Sequence, residues 1–120
     1  MTRQFSFSGY ERKLLPQFRQ KMNKAESTED VKKFFIQTVE ELLNGVFDGK
    51  MKVEAEDVVL LPEAEPHYGM SERLRDGELL KSYWTESDLS HVIHRLAESA
   101  TGRYKHLEKH PEKTEVKIRM

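Results

Sequence analysis

A chain of 120 residues with a formal net charge of −1 is sized for one domain, and folding buries roughly two-thirds of the surface that such a chain exposes when unfolded, so a core needs no staple or structural metal. Hydrophobic residues make up 37% and charged residues 34%, against roughly 45–50% and 25% in an average soluble domain. The core is therefore lean, although Leu, Ile, Val and Phe number 29, enough to exclude a disordered composition, and the lack of cysteine excludes a disulfide, a thiolate nucleophile and Cys-ligated metal.

Phe5 and Phe7 alternate with polar neighbours, the period-two pattern of a strand. Ser8 and Glu11 then match a capping box, which predicts a helix to about Lys24 with Tyr10, Leu14, Leu15, Phe18 and Met22 on its apolar stripe. Pro16 lacks an N–H and crowds the carbonyl four residues back, so a kink or restart is expected there. Ser27 and Asp30 cap a second helix whose Val31, Phe34, Phe35, Thr38, Leu42 and Val46 recur at spacings of three and four, ending at Gly45 or at Asp48-Gly49. Residues 50–69, with two prolines and many carboxylates around Val58-Val59-Leu60-Leu61, read as a short buried strand or an anchored loop.

Ser71 opens a third helix that continues through Leu74, Leu79, Leu80, Tyr83 and Trp84, weakened in its middle by Gly77. Thr85 and Asp88 form another capping box, with Trp84 placed to close on Leu89 as a hydrophobic staple. The fourth helix carries Leu89, Val92, Ile93, Leu96, Ala100, Tyr104 and Leu107 and reaches about Lys109 unless Gly102 ends it early. Finally Val116, Ile118 and Met120 alternate with charged residues as a half-buried strand does. The expected fold is mainly α, about four helices in a single bundle-like domain spanning residues 1–120 with two or three short β-strands, α+β being the neighbouring class.

The near-neutral total conceals a polarity. Residues 1–24 carry six basic and one acidic side chain, residues 25–94 seven basic and sixteen acidic, and residues 95–120 seven basic and four acidic. Two basic ends brought together would make one positive patch, whereas ends laid against the acidic middle would cancel. Arg12, Lys13, Arg19, Arg95, Arg103, Lys105, Lys117 and Arg119 are the candidates for a phosphate-tracking surface. Against that reading, no nucleic-acid motif is present and the isoelectric point is about 6.5.

Imidazole is the commonest metal ligand and a general base near neutral pH, which draws attention to His91, His94, His106 and His110. At 100° per residue from Leu89, His91, His94 and Glu98 fall at roughly 200°, 140° and 180°, away from the helix's own apolar stripe. They form a site only if another subunit or the acidic connector covers that face. His106 and His110 are one helical turn apart, but His-Leu-Glu-Lys-His misplaces the glutamate of a zinc-protease motif, and cations at a last turn favour the negative helix end. The carboxylates Glu54, Glu56, Asp57, Glu63 and Glu65 lack the alternating ligands and central glycine of a calcium loop and read as a solvated acidic surface. No glycine pair has G-x-G spacing and no G-x-S-x-G occurs, so no cofactor is expected.

These features point to a non-enzymatic cytoplasmic interaction protein that binds another protein through charge-polarised surfaces, without a membrane span. A homodimer is expected from the exposed edge of the terminal strand. The alternatives are nucleic-acid binding by the basic ends and a small metalloprotein or enzyme using the fourth-helix histidines.

Overall fold

The computed structural model describes residues 7–109. Five helices and one two-stranded antiparallel sheet follow in the order α1 (Ser8–Lys24), α2 (Thr28–Phe47), β1 (Val58–Leu60), β2 (Tyr68–Met70), α3 (Glu72–Arg75), α4 (Glu78–Glu86) and α5 (Leu89–Lys109), with a single 3-10 turn, Ala55–Asp57, ahead of β1. The mainly helical reading with short strands holds. The expected strand at Phe5 and the terminal strand of Val116, Ile118 and Met120 lie outside the described residues, while Phe7 precedes α1 and is buried.

The second helix forms as its pattern predicts. Ser27 Oγ accepts the Asp30 N–H at 3.2 Å, and Asp30 reaches back to accept the Glu26 N–H at 3.1 Å, which satisfies two donors at the helix entry. Val31, Phe35, Thr38, Val39, Leu42, Leu43, Val46 and Phe47 are buried along α2, and Thr38 donates its hydroxyl to the Phe34 carbonyl at 2.9 Å. The helix runs through Gly45 and stops where Asp48 and Gly49 turn to positive φ, 50° and 83°, so the Asp48-Gly49 ending is the observed one.

Four local expectations are corrected. Helix α1 is one continuous helix through Pro16, so no restart occurs there; Arg12 and Pro16 are both exposed, and an exposed position is where the carbonyl that loses its donor is tolerated. Ser8 is the first helical residue rather than the expected cap: Phe7 occupies the N-cap position with no side-chain cap, and the Glu11 carboxylate accepts from the Arg95 guanidinium through two bonds of 2.7 Å. The expected third helix is two helices, because Gly77 leaves the helical region and becomes the N-cap of α4 behind the four-residue α3. The count of four helices thus becomes five.

The corner between α4 and α5 also differs from expectation. Thr85 is not a cap: α4 runs on to Glu86, leaving Trp84 inside a helix rather than ahead of a cap, and Thr85 bonds back to the Lys81 carbonyl at 2.6 Å. Ser87 Oγ takes the Leu89 N–H at 3.1 Å instead, and Asp88 accepts the Phe7 N–H at 2.7 Å. The Phe7–Asp88 bond ties the start of α1 to the start of α5. Together with Glu11–Arg95 and the Arg103 bond of 3.1 Å to the Ala25 carbonyl, it makes α1 and α5 parallel neighbours. Helix α5 passes Gly102 without a break to Lys109.

One core cluster unites the helices and the sheet, with Phe18 of α1, Phe35, Leu42 and Phe47 of α2, Leu60 of β1 and Leu89, Ile93 and Leu96 of α5 all fully buried. Burying each such side chain contributes roughly 1.5–3 kcal/mol, which is how so lean a composition sustains a fold.

Candidate functional site

The sheet is held at its root by a buried carboxylate. Asp57 is only 4% exposed and accepts the Ser71 hydroxyl at 2.7 Å, the Glu54 N–H at 2.8 Å and the Arg73 guanidinium, while Arg73 also donates to the Lys52 carbonyl at 2.8 Å. Burial pushes the Asp57 carboxyl upward, but the bonds from Arg73, Glu54 and Ser71 and the Arg73 charge outweigh it and hold the group below its ordinary value. Asp57 thereby departs from the solvated role expected of the acidic connector: it joins the start of β1 to the segment that follows β2. Glu56, Glu63 and Glu65 are exposed, as that expectation had them.

Above this root lies an apolar groove with a volume of about 640 Å³. Tyr68, Gly69 and Met70 of β2 form one wall, and Leu80, Lys81, Trp84 and Thr85 of α4 form the other, with Arg75 at the end of α3. Successive side chains of a strand point to opposite faces, so three consecutive strand residues line one groove only when the strand presents its edge. The α4 residues recur as one helical face. Trp84 tilts against Tyr68 with ring centroids 6.4 Å apart, and the His94 ring lies 5.4 Å from Tyr68, also tilted. Burial pushes the Tyr68 phenol up to about 12, so it stays a neutral hydroxyl at physiological pH.

Gly69 connects the groove to the outer face of the sheet. A Cβ there would sit 3.2 Å from Val59 Cγ1 and 3.3 Å from Leu61 Cδ1, so these two side chains close over the glycine and leave no room for a larger residue without shifting. Val59 and Leu61 are 43% and 39% exposed and, with Tyr10, are the large hydrophobics that the described surface shows to solvent. Arg75 and Lys81 are exposed and make no ion pair among the described residues. The site is an apolar slot with two unpaired cations on its walls.

The residues singled out in the sequence are distributed otherwise. His91, His94, Glu98 and His106 are exposed on α5, and no three His, Asp or Glu side chains among the described residues converge to hold a metal ion. His94 stays exposed, and its neighbour from the connector is the Tyr68 ring, 5.4 Å away, which offers no metal ligand. His110, Lys117 and Arg119 lie outside the described residues. Of the basic candidates, Arg95 is engaged by Glu11, and Arg103 donates to the Asn23 and Ala25 carbonyls at the end of α1, a cation on the negative helix terminus. Arg12, Lys13, Arg19 and Lys105 are exposed, the first three on α1.

No sequence pattern marked the groove, because its strand wall is three residues long and its shape arises from pairing across the connector. The nearest local signals were Trp84, the only tryptophan, and the exposed Val59-Leu61 spacing. Comparisons of the chain with protein-family models, with curated proteins and with solved structures find no match.

Proposed function

We propose that this protein is a non-enzymatic interaction module that binds another protein, and that the groove between β2 and α4 receives a segment of the partner. The observation that carries the proposal is the combination of an open apolar slot, walled by Tyr68 and Trp84, with unpaired Arg75 and Lys81 beside it. Apolar area next to aromatic anchors supplies affinity, and unpaired charges select the sign of the partner. A cytoplasmic setting belongs to the same proposal and is supported by the lack of cysteine; no helix of the described residues is long and apolar enough to cross a membrane.

The test is selection of displayed random peptides on the immobilised full chain, with a Trp84→Ala chain as counter-target. Enriched peptides that bind the native chain at least tenfold more tightly than Trp84→Ala support the assignment. Failure to enrich any sequence, or enrichment indifferent to Trp84, refutes it.

A second reading, polyanion binding, is favoured by one observation: Arg12, Lys13 and Arg19 face solvent on α1, while Glu11, the only acidic residue of that helix, is committed to Arg95. A labelled oligonucleotide unshifted by the protein at low salt ends that reading. The homodimer proposal is decided by sedimentation at tens of micromolar.

A further inference from the structure

The backbone of β2 specifies how a partner segment would sit. In an antiparallel pair, residues directly opposite alternate between exchanging backbone hydrogen bonds and not doing so. The register pairs Val58 with Met70, Val59 with Gly69 and Leu60 with Tyr68. Just outside it, Leu61 donates to the His67 carbonyl at 2.7 Å, and Ser71 donates to the Asp57 carbonyl at 2.8 Å. Pairs 57/71 and 61/67 are therefore hydrogen-bonded, which makes 59/69 hydrogen-bonded and leaves 58/70 and 60/68 as the non-bonded pairs. The N–H and C=O groups of Tyr68 and Met70 consequently point away from β1, toward the edge that lines the groove. No backbone bond to them from another described residue accompanies the sheet.

We propose, resting on the groove reading above, that the partner is captured by strand addition: an extended segment with alternating apolar side chains and flanking carboxylates pairs with the outer edge of β2. Its backbone takes the orphan donors and acceptors of Tyr68 and Met70, so affinity has a component independent of the partner's side chains. Side chains on one side of the added strand pack over Trp84 and Leu80. The residue beside Gly69 projects to the outer face, where an apolar side chain meets the exposed Val59 and Leu61. Carboxylates on the segment complement Arg75 and Lys81, which make no ion pair among the described residues. Exposed, unpaired strand edges are sites of such pairing in general, and this one lacks the usual guards, since neither a lysine nor a proline stands within β2.

The experiment uses the tightest peptide from the selection, bound to the full chain. Single backbone N-methyl groups are placed at successive positions, and affinity is measured at each. Strand addition predicts losses of at least tenfold at alternate positions and little at those between, with amide exchange of Tyr68 and Met70 slowed on binding. Replacing peptide carboxylates by amides weakens binding in the native chain and has no further effect in an Arg75→Gln, Lys81→Gln double variant. Losses spaced by three and four positions, or none, overturn strand addition, while dependence on Trp84 still upholds the groove. A dimer at tens of micromolar that the peptide cannot compete with, and that leaves the Tyr68 and Met70 amides protected without peptide, also overturns it, because a second copy then holds the edge.

Discussion

Replacing Asp57 by Ala removes one acceptor and strands three donors, and the three do not count equally. Arg73 has a side chain 49% exposed, so its guanidinium rehydrates when the carboxylate is lost. The Ser71 hydroxyl and the Glu54 N–H are in partly buried positions and lose bonds of 2.7 and 2.8 Å to an ionised acceptor. Hydrogen bonds to charged groups contribute about 1.5–3 kcal/mol each, and such losses overlap when they share one acceptor. The expected cost at pH 7 is about 2–3 kcal/mol, short of the roughly 3–5 kcal/mol that follows when a fully buried partner is left uncompensated.

The pH dependence gives the prediction its sign. The carboxyl is depressed in the folded chain relative to its ordinary value of 3.8, so the stability it supplies is complete above the unfolded value and drains away as pH falls through the lower folded one. Urea unfolding of the native and Asp57→Ala chains from pH 7 down to pH 2.5 should show midpoints well apart at neutrality and converging below about pH 4. A stability gap that stays constant across that range, or one under about 0.5 kcal/mol at pH 7, would refute the reasoning that an ionised Asp57 holds the sheet.

Two further outcomes follow from packing and backbone geometry. Phe35, fully buried at the centre of α2, should cost about 3–5 kcal/mol when cut to Ala, read as a lowered urea midpoint with an unchanged slope. Asp48→Gly should instead raise stability by about 0.5–1 kcal/mol, since a left-handed residue with φ 50° gains from losing its Cβ and the negative end of α2 loses an unfavourable carboxylate; a lowered midpoint contradicts this.

Helices α2 and α5 were legible because their burial is periodic: Val31, Phe35, Thr38 and Leu42, like Leu89, Val92, Leu96 and Ala100, repeat at three and four within one element. The Ser27 cap was legible because its partner is three residues away. What could not be read was set by partners distant in the chain. Glu11 has a proper capping spacing from Ser8, yet Arg95, eighty-four residues on, offers a full positive charge in bidentate geometry. Asp57 looked like one carboxylate among several until the hairpin brought Arg73 and Ser71 to it. Tyr68-Gly69-Met70 is too short to show a period of its own and becomes a strand only against Val58–Leu60. Pro16 and Gly77 show the same principle in opposite directions: solvent tolerates the first within a helix, and a nearby alternative start lets the second divide one.

The charge map of the folded chain revises what polarity along the sequence means for recognition. Summed by segment, residues 25–94 are strongly acidic, and attraction of anions would be sought at the two ends. In the fold, Arg95 and Arg103 of the basic C-terminal part are engaged with the Glu11 carboxylate and the carbonyls closing α1, so they contribute to the seam between α1 and α5. Arg75 and Lys81, by contrast, belong to the acidic segment, yet both stand exposed beside an apolar slot with no ion pair among the described residues. Attraction at contact distance depends on charges without local partners, because pairs cancel within a Debye length of about 8–10 Å. Selectivity for an acidic, extended partner can therefore arise within the most anionic part of the chain, where the surrounding carboxylates repel any acidic segment that does not meet the two cations and the edge of β2 together.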